Sequence, residues 1–272
     1  METVCRGKQW DVLLAHDKQG RISAAMPFLI GSKLGLRYVL QPQLTQYNGP
    51  WYRPCTLDEE MEAASQLVDQ LKALRLVWFQ QNFSPDVTNW LPFYWAGYRQ
   101  TTRYSYRIDD ISDPQRVFSS FDPSRRQRQI RRTEGLLHPV ELSPERFVDF
   151  HADYYARRGQ KDLLSAPFML HLITTALGRR QGLLMGLEDA HGTLQGARFV
   201  VYDDRCAYSL LSALAEGHPN GTSARLFFEI IQRLSGTTKA FDFEGSMDPG
   251  IEQSYRLYGT RQVPYSRITK IL

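Results

Sequence analysis

The chain has 272 residues, of which 42% are hydrophobic and 23% charged, with a formal net charge of +4. Those proportions fit a globular protein with an ample core and exclude a disordered chain; the mild positive charge permits an anionic partner without requiring one. No apolar run reaches the ~18 residues of a membrane span, Met1 to Trp10 carries no apolar stretch of a secretion signal, and three scattered cysteines (Cys5, Cys55, Cys206) fit a reducing cytoplasm rather than a disulfide frame or a zinc site.

In chain order, Trp10 to Ala15 reads as a strand, Asp17 to Gly20 as a hairpin turn in which glycine supplies positive φ, and Ile22 to Ile30 as the return strand. Leu36 to Leu40 is a third strand, followed by a loop from Gln41 to Pro54. Thr56 with Glu59 three residues on is a capping box, and Met61, Ala64, Val68 and Leu71 give the helix behind it a buried face. Leu76 to Phe79 reads as a short central strand. Ser84 and Pro85 start a second helix that Gly97 ends, and Arg99 to Ile108 alternates like a strand. Residues 112 to 180 read as helical, with starts at Asp122-Pro123 and Ser143-Pro144. Then Leu183 to Leu187 and Thr193 to Tyr202 form a hairpin, Ala207 to Leu214 a strand, Asn220 to Thr222 the opening of a helix, Ala240 to Phe243 a central strand, Asp248-Pro249 the cap of a short helix, and Gln262 to Ile268 the last strand.

The order β-β-β-α-β-α-β thus occurs twice, and the residues repeat with it. At an offset of 172, Asp17, Gly20 and Ile22 fall on Asp189, Gly192 and Leu194, and Asn48-Gly49 falls on Asn220-Gly221; at 162, Gly97 and Arg99-Gln100 fall on Gly259 and Arg261-Gln262. Duplication of one structural unit is the direct reading. The fold class expected is α/β with a mixed sheet in each copy, one copy spanning 1–110 and the other 111–272. The helical stretch between the copies has no counterpart before the first, which makes the first the truncated one.

Four groups of residues carry chemistry. His218, Asn220, Gly221, Thr222 and Ser223 sit where backbone N–H groups leave a helix start, a place that suits a phosphate; a plain helix cap is the alternative. Arg125, Arg128 and Arg132 fall on one helical stripe with no acid among them, which suits a bound anion; a solvated face is the alternative. Asp242 and Glu244 alternate with Phe241 and Phe243, so both acids share one strand face, where one could serve as general base and each would raise the other's pKa; a salt bridge to Arg261 or Lys239 is the alternative. Tyr208, Tyr255, Tyr265 and Arg261 could line the same cleft, and the loop residues Gln46 and Tyr47 could bind a polar acceptor. The six histidines have no ligand spacing, so no metal site is expected.

The strand-loop-helix-strand order resembles the GNAT superfamily of acyltransferases, and two such units in tandem resemble the Fem-type transferases that add amino acids to peptidoglycan precursors. Phe241 to Ser246, Tyr255 to Gly259 and the arginine-rich stretch Arg125 to Arg132 are the parts most similar to Fem-type sequences. The resemblance implies two tandem GNAT-like units in a bacterial cytoplasmic enzyme. It would move an acyl or acetyl group from a thioester, acyl-coenzyme A, to an amine such as that of a cell-wall precursor. A tRNA-dependent aminoacyl transferase and a non-catalytic binding module are the alternatives. It further implies a phosphate site at 218–223, Glu244 as base with Asp242, Tyr208 and Tyr265 in support, main-chain N–H groups near Leu210 to Ala213 as the oxyanion site, and Arg125, Arg128, Arg132, Arg261, Gln46 and Tyr47 for substrate or anion binding. His218 and Ser223 depart from the glycine-rich pattern that flanks Gly221 in coenzyme A-dependent GNAT enzymes.

Overall fold

The structure, a computed structural model, describes residues 1–5 and 8–271. Contacts within the chain divide it into two compact units, Met1–Tyr104 with Val263–Leu272, and Ser105–Gln262.

The first unit begins with β1 (Trp10–His16) and β2 (Ile22–Lys33), followed by β3 (Leu36–Leu40), β4 (Trp51–Tyr52), α1 (Leu57–Ala73), β5 (Leu76–Asn82), α2 (Leu91–Trp95) and β6 (Arg99–Ile108). Asp17 closes the β1–β2 hairpin by accepting the Gln19 and Arg21 amides on one carboxylate oxygen, while Gly20 takes φ 77°. Thr56 caps α1 with the reciprocal Glu59 bond, as the sequence predicts. Alternation then sorts each strand. Leu13, Ala15, Met26, Phe28, Val39, Phe79 and Ile268 bury one sheet face against Ala64, Leu67, Val68 and Leu71 of α1 and Phe93 of α2. Each large side chain removed from water there contributes ~1.5–3 kcal/mol. The opposite side of the same strands bears Trp10, Val12, Leu40, Trp51 and Trp78, all more than a third exposed.

The second unit starts in the last residues of β6 and continues with α3 (Pro114–Ser120), a π-helical turn at Pro123–Gln127, α4 (Arg128–Thr133), β7 (His138–Glu141), α5 (Pro144–Arg157) and α6 (Ala166–Gly178). β8 (Gly182–Glu188), β9 (Leu194–Tyr202), β10 (Cys206–Leu214), α7 (Thr222–Leu234), β11 (Ala240–Asp242), α8 (Pro249–Arg256) and the start of β12 (Arg261–Ile271) complete it. The strand order is β6-β11-β10-β9-β8-β7. Phe227 of α7 packs on Phe241, Phe243 and Tyr258 at centroid distances of 5.9, 4.6 and 5.2 Å, so α7 closes one face of this sheet with an aromatic core.

The repeat holds at the level of register. Asp189 accepts the His191 and Thr193 amides as Asp17 accepts its own, and Gly192 takes φ 74°. The irregular pairing Ala15↔Ala24, His16↔Ile22 recurs 172 residues later as Leu187↔Gly196, Glu188↔Leu194. The third strand pairs parallel with the strand after the helix in both units. Gly97 and Gly259 both take positive φ behind their short helices.

Several expectations are corrected. The Asn48-Gly49 match to Asn220-Gly221 is not structural: α1 starts at Leu57, whereas α7 starts at Thr222, directly after Gly221, and β4 intervenes in the first unit. The helix expected from Ser84 is only Leu91–Trp95; Val87 donates to the Ser84 carbonyl in a turn, and Pro92 sets the helix start. Residues 112 to 180 include a strand, β7, antiparallel to β8. A single cut at residue 110 also differs from the observed units, because the final strands change places: β5 pairs with β12, and β11 pairs with β6.

Candidate active site

β10 and β11 run parallel through three pairs, Cys206↔Ala240, Ala207↔Phe241 and Tyr208↔Asp242. There β11 ends, while β10 continues to Leu214 beside β9 alone, with an irregularity between Ser209 and Leu211. From Ser209 onward β10 has no strand partner on its β11 side among the described residues, and its main-chain donors there are not taken up in a ladder. This is the splay at which the oxyanion site is expected.

Asp242 and Glu244 lie at that point in different surroundings. Asp242 is fully buried; Ser105 Oγ donates to it, Arg107 reaches its Oδ2 with Nε at 3.2 Å and Nη2 at 3.1 Å, and the Glu244 amide donates to Oδ1 at 2.8 Å. Burial raises its pKa, opposed by Ser105 and Arg107. Four donors and a cross-strand cation make it a framework acid. The partner is Arg107, not Arg261 or Lys239; Arg261 is engaged with Asp109 through Nε at 2.6 Å and Nη2 at 2.8 Å, in an exposed pair.

Glu244 lies beyond the end of β11 with φ 60°, in the left-handed region uncommon for a side-chain-bearing residue. The strand-face argument therefore fails for it: the turn, not alternation, aims its carboxyl group. Enclosure in protein and, second, the Asp242 carboxylate push its pKa well above the usual carboxylate range. Tyr208, cross-strand from Asp242, is driven upward by burial, as is Tyr255, which feels Arg198 in one direction and Glu244 and Asp242 in the other. Tyr265 belongs to the first unit, where its ring stands edge-on to Tyr47 at 5.1 Å. Gln46 and Tyr47 are in that unit too.

At the start of α7, Gly221 takes φ 116° and supplies no side-chain cap. A β-carbon there would lie 2.6 Å from the Gln129 carbonyl oxygen of α4. Gln129 also donates through Nε2 to Asn220 Oδ1 at 2.9 Å, and the buried Thr222 hydroxyl is spent on the Pro219 carbonyl. His218 Nδ1 sits 3.1 Å from the same carbonyl. The helix start predicted to cradle a phosphate is thus packed against Gln129 of α4 at Gly221. Arg125, Arg128 and Arg132 are exposed and have no acid partner among the described residues, but the π-helical turn at Pro123–Gln127 breaks the α-helical spacing assumed for Arg125 and Arg128. Arg126, half-buried, is held by Ser254 and lies 4.6 Å over the Tyr258 ring.

Sequence reasoning missed Arg107, Ser105, Ser209 and Arg198. Arg198, 7% exposed, lies 3.7 Å over Phe227, donates to Ser209 Oγ at 2.5 Å, and is lowered to about 10 by burial. A lone arginine in the apolar run Leu194–Tyr202 was the available signal. No group of histidine, cysteine or acidic side chains able to hold a metal occurs among the described residues, and no helix there is long and apolar enough to cross a membrane.

The fold is that of the GNAT and Fem-type acyltransferase-like proteins. FemX superposes with a TM-score of 0.74 over 98% of this chain and 89% of its own, at 10% sequence identity. The C-terminal domain of a protein assigned as a lysylphosphatidylglycerol synthetase from Agrobacterium fabrum gives 0.61 over 95% and 84%, at 11% identity. A tandem GNAT protein from the clavulanic acid biosynthesis pathway gives 0.59 over 98% and 84%, at 12% identity. No protein-family model matches the sequence, and no curated protein matches it.

Proposed function

We propose that the protein transfers an acyl or aminoacyl group to an amine, with the chemistry in the second unit. The observation that carries this reading is the coincidence of the β10–β11 splay with an enclosed, high-pKa carboxyl group, Glu244, at the same strand end. Main-chain donors of β10 on the side that β11 leaves uncovered suit the oxygen of a tetrahedral intermediate. An amine nitrogen attacks the carbonyl carbon, Glu244 takes the amine proton, and the bond from that carbon to the donor's oxygen or sulfur breaks, the leaving atom regaining a proton. A base of raised pKa is better matched to an ammonium proton near neutral pH than an ordinary carboxylate. Tyr208 and Asp242 hold the strand end, and the amine of a cell-wall precursor would fit as acceptor.

The donor is acyl-coenzyme A or an ester such as an aminoacyl-tRNA, and the exposed Arg125, Arg128 and Arg132 suit the polyanion of the second. The test is transfer to an amine acceptor from acetyl-coenzyme A and, separately, from charged tRNA, with wild type and Glu244→Gln. Transfer lost ~100-fold or more in the variant supports the base role. Unchanged transfer rejects it, and inertness of the wild type toward both donors with tight acceptor binding makes the protein a binding module.

A further inference from the structure

The irregular step in each hairpin leaves one residue of the return strand without a paired position: Ser23 in the first unit and Gln195, 172 residues later, in the second. Gln195 Nε2 donates to Oδ2 of the hairpin acid Asp189 at 2.8 Å. Serine is too short for that contact, and Oδ2 of Asp17 takes Arg21 Nε at 2.9 Å and Arg53 Nη2 at 2.6 Å instead. Ser23 is only 9% exposed, and its Oγ is buried with no hydrogen-bond partner. It stands in the wall of a cavity of about 440 Å³, bounded by the β1–β2 hairpin, residues 53–55 and the first turns of α1. That volume is usual for a small-molecule site.

Most polar groups of that wall have partners. Arg21 and Arg53 are bound to Asp17, the Thr56 amide and hydroxyl hold Glu59, and the Gln66 amide bonds the His16 main chain through both ends. Two carboxylates are not taken up. Asp58 and Glu62 are exposed and have no ion-pair or side-chain hydrogen-bond partner among the described residues. Four positions apart on α1, they share a helix face and repel each other. The helix dipole favours Asp58 in the first turn, but Glu62 lies beyond it. Against them stands Lys18, exposed in the hairpin turn. Two carboxylates against one ammonium, on a helix whose first turn is Asp58, Glu59 and Glu60, repel a phosphate and attract a cation. No group of histidine, cysteine and acidic side chains able to hold a metal ion occurs among the described residues, so the cation that fits is an organic one.

We propose that this cavity binds an aliphatic ammonium ligand, of the polyamine or diamino-acid kind, with Asp58 and Glu62 accepting from the ammonium groups and Ser23 Oγ supplying the buried hydrogen bond. An unpartnered buried hydroxyl and two repelling carboxylates are each relieved by the same ligand. The site belongs to the first unit alone and takes no part in the transfer chemistry. Binding is read without any transfer reaction, so its failure leaves the role of Glu244 untouched.

The experiment is calorimetric titration of the full chain with spermidine and, in a second arm, L-lysine, for wild type, Glu62→Gln, Ser23→Ala and Asp69→Asn. Asp69 lies on the same helix outside the cavity wall, paired with Lys72 at 2.8 Å, and serves as the control for diffuse surface charge. Glu62→Gln is expected to weaken binding at least ~tenfold, the scale of one charge-assisted contact, and Asp69→Asn to leave it unchanged. Ser23→Ala weakens binding while leaving the Tm of the free protein at or above that of wild type, because it removes a hydroxyl that has no partner. Heat with spermidine alone assigns a polyamine, heat with lysine alone a diamino acid, and heat with both the ammonium chain that the two share. No heat with either probe, unchanged affinity in Glu62→Gln and Ser23→Ala, or equal weakening in Asp69→Asn overturns the site; a lowered Tm in Ser23→Ala overturns the unpartnered hydroxyl.

Discussion

Replacing Gly221 by alanine tests whether α4 packs on the start of α7. Two costs follow from the geometry. A φ of 116° is foreign to a residue with a β-carbon, at ~1–3 kcal/mol. The new methyl group would stand 2.6 Å from the Gln129 carbonyl oxygen and 3.0 Å from its carbon, both backbone atoms, so α4 must move, at a further ~1–3 kcal/mol. Gly192 is the control: it has φ 74° in the same unit and nothing within 4 Å of an added β-carbon, so alanine there carries only the conformational cost, ~1–2 kcal/mol. Urea unfolding of Gly221→Ala and Gly192→Ala should therefore differ by ~1–3 kcal/mol beyond the shared term, with equal m-values. If Gly221→Ala proves no more destabilising than Gly192→Ala, α4 does not pack on the helix start.

Glu244→Gln should change the pH dependence of stability as well as transfer. A carboxyl group raised in the folded state contributes stability that is whole below its unfolded pKa, near 4.5, and is lost as pH rises through the folded value. The variant should lose less stability than wild type between pH 4.5 and neutrality in chemical denaturation, and identical profiles would refute the enclosure. His151, buried beside Asp162, Tyr155 and Phe147, shifts the other way, since burial lowers its pKa below 6.5. Its contribution is present above that value and is lost as pH falls, so His151→Gln should flatten unfolding free energy on the acid side of 6.5; an unaltered slope would disprove it. Replacing Arg125, Arg128 and Arg132 with alanine should leave stability within ~0.5 kcal/mol per site while weakening tRNA retention most at low salt, and equal retention of both proteins at every salt concentration would dismiss the polyanion face.

The sequence by itself determined what is local. Asp17 and Asp189 each sit three residues before a glycine and bond their own backbone, so the two hairpins were legible as copies. Thr56 and Glu59 marked a helix start, and the 3.6 and 2 periods separated α1 and α7 from the strands. Glu244 was singled out, but from a strand alternation that does not apply to it, since β11 stops at Asp242. What only tertiary structure decided is everything that depends on residues distant in the chain. Arg107 reaches Asp242 across 135 positions, and Arg267 reaches Asn82 across 185. Gly221 packs against Gln129, 92 positions earlier. The pairing of β6 with β11 and of β12 with β5 produces the first two contacts, and packing of α4 on α7 produces the third. Charge compensation and helix-end access are properties of such neighbours, and a one-dimensional pattern records the groups without recording which of them meet.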